Sequence, residues 1–255
     1  TLIAVPTTAG TGSETTLASV ITDSDTHHKY AIMSFPLIPR YAVLDAKLTY
    51  SLPKNLTATT GMDALTHATE AYIGRSTTSE TRQLAFDAVR LIFDNIKAAY
   101  SDGENEFARK NMLIAAYKAG IAFSKSYVGY IHAIAHSLGG QYGIPHGLAN
   151  SVIMPYVLEA YGKKAHKKLY RLAIAAGVCS ENDSIEVGAK KYIDAIKTLN
   201  KEMNIPDKLG GIIKEDIPVM ARYAEKEANP LYPVPKLMTK KELESFYYKT
   251  ADWSK

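Results

Sequence analysis

The chain has 255 residues, 46% hydrophobic and 22% charged, the composition of an ordinary globular protein with one large or two modest cores. Its net charge of +4 is scattered, densest at Lys163-Lys164-Ala165-His166-Lys167-Lys168 and Lys240-Lys241; these read as solvated helix faces, and no basic stripe interleaved with aromatics points to nucleic acid. One cysteine, Cys179, excludes an internal disulfide framework and fits a reducing, cytoplasmic setting, while no apolar run approaches the roughly 18 residues of a membrane helix and no leader pattern is present.

The first part reads as strands. Leu2 to Pro6, Leu17 to Thr22, Lys29 to Ser34 and Tyr41 to Asp45 are short apolar or β-branched runs, separated by turn chemistry at Ala9-Gly10-Thr11-Gly12 and Asp23-Ser24-Asp25. Beyond Pro53 the period changes to that of helices, predicted at 54–73, 79–99, 104–123, 130–139, 147–161, 164–176, 184–203, 215–224 and 240–250. Ser51 ahead of Pro53 and the capping box Thr239-Lys240-Lys241-Glu242 are start signals. The stretch from Asn229 to Pro235 reads as a surface loop between late helices. The fold class is therefore mainly α: an all-helical domain over 51–255 preceded by a short β-rich segment, 1–50. So short a β segment buries little by itself and is expected to be the later part of a larger α/β domain.

Two clusters carry the chemistry. Asp63 and His67 are four apart, so a helix stacks a carboxylate and an imidazole on one face. His132 and His136 repeat that spacing, and Gly139, Gly140, Gly143 and Pro145 are expected to break the helix and let the chain return His146 towards the face it left. Either pair alone is more readily read as hydrogen-bonded surface or boundary histidines than as ligands. Both lie in Ala-, Leu- and Ile-rich runs where an unpaired ring is costly to bury, and shared ligation of one cation satisfies them. Gly10 and Gly12 form no dinucleotide fingerprint, because β-branched residues follow instead of a helix. Thr7, Thr8, Thr11, Ser13 and Thr16 are hydroxyls in a small-residue turn, either a plain turn or one that approaches a ribose, amide or phosphate.

The runs Pro6-Thr7-Thr8-Ala9-Gly10-Thr11-Gly12-Ser13-Glu14, Gly61-Met62-Asp63-Ala64-Leu65-Thr66-His67, His132 to His136 and Pro145-His146-Gly147, in that order, strongly resemble the iron-containing (group III) alcohol dehydrogenases. The resemblance extends along the whole chain. It implies an α/β nucleotide-binding domain followed by a helical metal domain, with Asp63, His67, His132 and His146 as ligands of Fe(II), or of Zn(II) as runner-up. It places His136 near the nicotinamide of NAD or NADP, and makes Thr7, Thr8, Thr16 and Lys29 cofactor contacts. Phe123 and Ala18 fall where relatives have substrate-pocket side chains, although Phe123 also fits plain core.

The implied reaction is hydride transfer between a small primary alcohol or diol and the nicotinamide, with Asp63 an ionised ligand and His136 relaying a proton, positioning substrate or serving only as a hydrogen-bond partner. A homodimer or higher homo-oligomer is implied, with neither membrane nor nucleic acid as partner. The family's preceding region, which carries the glycine-rich pyrophosphate turn, has no counterpart here, so the chain is expected to be a C-terminal portion. Two other readings stand beside this one: a metal-binding helical domain without turnover, and a dehydroquinate-synthase-like lyase, which would need a cluster of basic residues in its cleft.

Overall fold

The computed structural model describes residues 1–254. Among them the four predicted strands form, each shorter than its apolar run: β1 (Ile3–Ala4), β2 (Ala18–Thr22), β3 (Lys29–Met33) and β4 (Tyr41–Ala42). β1 and β4 pair in parallel with Ile3 opposite Tyr41, while β2 and β3 form an antiparallel hairpin running from Ala18–Met33 to Thr22–Lys29. Asp23 closes the hairpin, its Oδ1 accepting from the main-chain N–H groups of Asp25 and Thr26. Its strands show no clean alternation of buried and exposed positions, and Val20, Ile21, Ile32 and Met33 remain exposed.

Nine α-helices follow among the described residues: α1 (Lys54–Ile73), α2 (Ser79–Ser101), α3 (Glu106–Ser126), α4 (Tyr130–Tyr142), α5 (His146–Tyr161), α6 (Lys163–Ala175), α7 (Ile185–Glu202), α8 (Ile217–Ala228) and α9 (Lys240–Thr250). The Thr239–Glu242 capping box forms as its spacing requires, and Thr78, Asn105 and Ser184 cap α2, α3 and α7 through side-chain oxygens. Ser51 does not cap α1. Pro53 occupies the cap position, fixing the entry conformation without a side-chain hydrogen bond.

α1 is the axis of the bundle, packed against α2, α3 and α5. Every residue from Gly61 to Ile73 is buried. Its small side chains allow that: a Cβ on Gly61 would lie 2.8 Å from Ile96 of α2 and 2.9 Å from Met112 of α3. A helix buried all round is normally apolar, yet this one carries Asp63, His67 and Glu70 into the core. The peripheral α6, α7 and α8 are amphipathic and keep their charged faces in solvent.

Two expectations need correction. Gly139 and Gly140 do not break α4, which continues to Tyr142 and ends at Gly143 in the left-handed region (φ 65°). Gly140 serves a different purpose: a Cβ there would sit 2.2 Å from the His27 carbonyl oxygen, so glycine lets the hairpin lie on α4. The 229–235 stretch is also more than a surface loop. Tyr232 and Val234 are buried, and the Pro233 carbonyl accepts from Arg75 N–H at 2.6 Å, tying the loop to the end of α1.

Candidate metal centre

Three helices converge on one point. Asp63 comes from the middle of α1, His132 from the first turn of α4 and His146 is the first residue of α5. Asp63 Oδ1 lies 3.8 Å from His132 Nε2 and 3.6 Å from His146 Nε2, and one donor atom from each of the three lies within 4.8 Å of the others. Donors about 2.1 Å from a tetrahedral ion are about 3.4 Å apart, so the observed spacings are near those a single divalent cation draws together.

The donors' own chemistry agrees. Burial, the largest influence, holds the imidazoles of His67, His132 and His146 below their usual range, His132 well below it and His146 at about 3. Neutral rings offer lone pairs. His132 Nε2, His67 Nδ1 and His146 Nδ1 are buried without a hydrogen-bond partner, a costly arrangement that ligation by the three-residue group would relieve at His132 Nε2. The residues present therefore fit a divalent metal ion.

The other two predicted histidines join the cluster differently. His67 is held by stacking, between Phe123 at 4.2 Å and His132 at 4.5 Å, and stands outside the three-residue group. His136 stacks on His146 at 5.1 Å and faces the same cavity one turn beyond His132.

Sequence reasoning missed the residues that orient these rings. Glu70, one turn beyond His67 on α1, accepts main-chain N–H groups of Gly129 (2.8 Å) and Ile131 (2.9 Å) at the start of α4, and its Oε2 lies 2.6 Å from His132 Nδ1. Burial pushes the Glu70 carboxyl up to about 8, and the main-chain donors at the start of α4 pull against it. Glu227 of α8 stands 2.7 Å from His136 Nδ1 and accepts from Tyr232 Oη at 2.7 Å. A glutamate inside the Ala-rich α1 was a readable signal for Glu70. Glu227, in a charged helix remote in sequence, had none.

The cluster forms the floor of a cavity of about 630 Å³. Thr11, Ser13 and Thr16 line one wall, Ala18 and Lys29 come from the hairpin, and Phe123 from α3. The turn can approach because Gly10 lies against Thr60 of α1, and Gly12 (φ 60°) against Gly120 of α3. Thr16, Ala18, Lys29 and Phe123 thus share the cavity with the histidines. Thr7 and Thr8 precede the turn and are not among its lining residues.

The family description "Fe-containing alcohol dehydrogenase family, C-terminal" matches residues 57–251, and "Iron-containing alcohol dehydrogenase" matches residues 1–46. The chain belongs to the iron-containing alcohol dehydrogenase family. Among its relatives, alcohol dehydrogenase 4 of Saccharomyces cerevisiae is 40% identical over 231 residues, covering 89% of this chain and 59% of the relative. The 1,3-propanediol dehydrogenase of Klebsiella pneumoniae is 41% identical over 230 residues, with the same coverage. The crystal structure of a 1,3-propanediol oxidoreductase superposes with a TM-score of 0.92 at 38% identity, covering 97% of this chain and 65% of the other. The chain thus spans about three-fifths of the length of the curated relatives it matches.

Proposed function

We propose that this chain is the metal-binding part of an NAD(P)-linked alcohol dehydrogenase or aldehyde reductase acting on small primary alcohols or diols. The observation that carries this reading is the convergence of Asp63, His132 and His146 on one buried point at the floor of a cavity whose walls supply hydroxyls and a lysine. Asp63, His67, His132 and His146 are the ligands, the unpartnered Nδ1 supporting His67 as the fourth. Iron is the metal the family name carries, with zinc as the alternative for this mixed imidazole and carboxylate donor set. The ion supplies Lewis acidity, which makes an alcohol hydroxyl easier to deprotonate and polarises an aldehyde carbonyl.

The chain's own residues do the rest. His136, its Nδ1 held by Glu227, lines the cavity, where an imidazole can take or return the hydroxyl proton. Phe123 and Ala18 bound the space for a short substrate. Thr16 and Lys29 in the cavity wall, with Thr7 and Thr8 beyond it, would hold the nicotinamide nucleotide, NAD or NADP, which would supply hydride-transfer chemistry when bound. Residues 1–50 belong to the nucleotide-binding domain and 51–255 to the metal domain of a cytoplasmic homodimer or larger homo-oligomer. Lys29 is the sole lysine lining the cavity and no arginine joins it among the described residues, which favours a dehydrogenase over a lyase for phosphorylated acids.

The test is metal content after dialysis, for the chain and for a His132→Ala, His146→Ala double variant, followed by NAD(P)H oxidation with a short aldehyde for the chain joined to the N-terminal part of a relative. About one iron or zinc per chain, absent from the variant, and turnover in the joined protein are expected. No metal in the unaltered chain overturns the centre. Metal without turnover in the joined protein leaves a metal-binding helical domain and overturns the dehydrogenase.

A further inference from the structure

Asn150 lies on α5 one turn after His146, so both side chains occupy the same helix face. It is completely buried. Its Nδ2 donates to Asp63 Oδ1 at 2.7 Å and stands 3.1 Å from His146 Nε2, while its Oδ1 has no partner. One amide nitrogen therefore touches a side chain from α1 and a side chain from α5, the same atoms that face the metal point.

Which end of the amide faces Asp63 follows from the carboxylate. A carboxylate is an acceptor only, and turning the amide over would set oxygen against oxygen at 2.7 Å. Nδ2 must face Asp63. Its second N–H then points at His146, and a ring nitrogen that receives an N–H must carry a lone pair. The imidazole is thereby kept with its proton on Nδ1 and its Nε2 unprotonated, and a cation would take over the lone pair that the amide N–H occupies.

We infer that Asn150 is a positioning residue of the metal centre: through one amide nitrogen it fixes the Asp63 carboxylate and selects the His146 tautomer that can bind a cation. This rests on the proposed metal centre. Asn150 is not itself a ligand. It acts through Asp63 and His146, joining α1 to α5 before any ion arrives. A side chain that contributes only volume would leave the tautomer unset, because no other group in hydrogen-bond contact with either ring nitrogen of His146 fixes it.

The experiment has two arms. In the metal-free protein, nitrogen chemical shifts of His146 report which ring nitrogen holds the proton; the expected result is Nδ1 protonated and Nε2 bare. In Asn150→Leu, competition with a chromophoric chelator is expected to show metal affinity reduced 10- to 100-fold, although no ligand has been removed. In metal-free Asn150→Asp, whose carboxylate offers an acceptor where the amide offered a donor, the His146 proton is expected to shift to Nε2.

A wild-type proton on Nε2 overturns the inference without recourse to any variant, so a leucine variant that fails to fold does not shield it. Affinity within twofold of wild type in Asn150→Leu overturns it as well. Failure of the wild-type protein to bind metal overturns the metal centre and with it the positioning role, whereas the tautomer in the metal-free chain still reports the Asn150 contact, so the two failures are separable.

Discussion

Glu70 Oε2 lies 2.6 Å from His132 Nδ1, and the other nitrogen of that ring faces Asp63 Oδ1 at 3.8 Å. A carboxylate on α1 thus aims a ring on α4 at a second carboxylate on α1, two turns earlier. Glu70 also takes the first free N–H groups of α4, which places it at the joint between the two helices.

Glu70→Ala removes the acceptor from two main-chain donors and a buried imidazole. Each orphaned group costs about 1–3 kcal/mol, so a loss of at least about 3 kcal/mol is expected in urea denaturation of the metal-free protein. Glu70→Gln keeps the shape and one acceptor oxygen but aims an amide N–H at existing donors; its expected loss is smaller, about 1–3 kcal/mol. Losses below 1 kcal/mol in both variants would show that the joint does not depend on this side chain.

Gly147 sets how closely α5 approaches α1 beside His146. A Cβ there would lie 2.3 Å from the Thr59 carbonyl oxygen, main-chain atoms that cannot rotate away. Alanine has the better helix propensity by about 1 kcal/mol, but overpacking a tight contact costs about 1–3 kcal/mol, so the clash outweighs the propensity. Gly147→Ala should lower the urea midpoint and weaken metal binding together, because moving α5 carries His146 away from Asp63. Lower stability with unchanged affinity would mean that α5 yields elsewhere.

Period and capping made the helices legible, since Thr239–Glu242 and the apolar repeats act within one element. The i,i+4 pairs were equally local, and Asp63–His67 and His132–His136 do share helix faces in a single cavity. What the sequence concealed arises between elements. Gly140 has the local signature of a helix breaker, whereas its value is steric, against a hairpin more than a hundred residues earlier. Glu227 carries no local signal because its partner His136 is 91 residues away, and Asn150, though one turn from His146, takes its role from Asp63, 87 residues away. His67 has the right spacing for a ligand, and its ring also stacks on Phe123 and His132, contacts that spacing does not encode.

Acid should weaken the contact between α2 and α3. Asp87 Oδ2 accepts from Lys118 Nζ at 2.7 Å and its Oδ1 from Gln83 Nε2 at 2.9 Å. Burial alone would raise the Asp87 carboxyl, but these bonds outweigh it and hold the group below its ordinary 3.8. A depressed folded value means the stabilisation is present above 3.8 and lost as pH falls through the lower value. Lys118→Met should therefore be less stable than wild type by about 0.5–1 kcal/mol at neutral pH, the pair being partly solvated. The gap should narrow steadily in denaturation series taken downward from pH 5. A gap independent of pH would assign the effect to the lysine's packing.

Cation binding should be visible as stability as well as content. The three donors come from α1, α4 and α5, so an ion they share cross-links helices that the unfolded chain leaves far apart. An ion that binds only the folded state at a hundred times its dissociation constant adds about 2.7 kcal/mol. Thermal unfolding should move upward when Fe(II) or Zn(II) is added to chelator-stripped protein, by an amount that grows with the logarithm of free metal. Asp63→Ala should abolish that dependence because it removes the only carboxylate in the group. An equal shift in Asp63→Ala and wild type would locate the stabilising ion elsewhere, and a shift lost in His136→Ala but kept in Asp63→Ala would exchange the roles of those two residues.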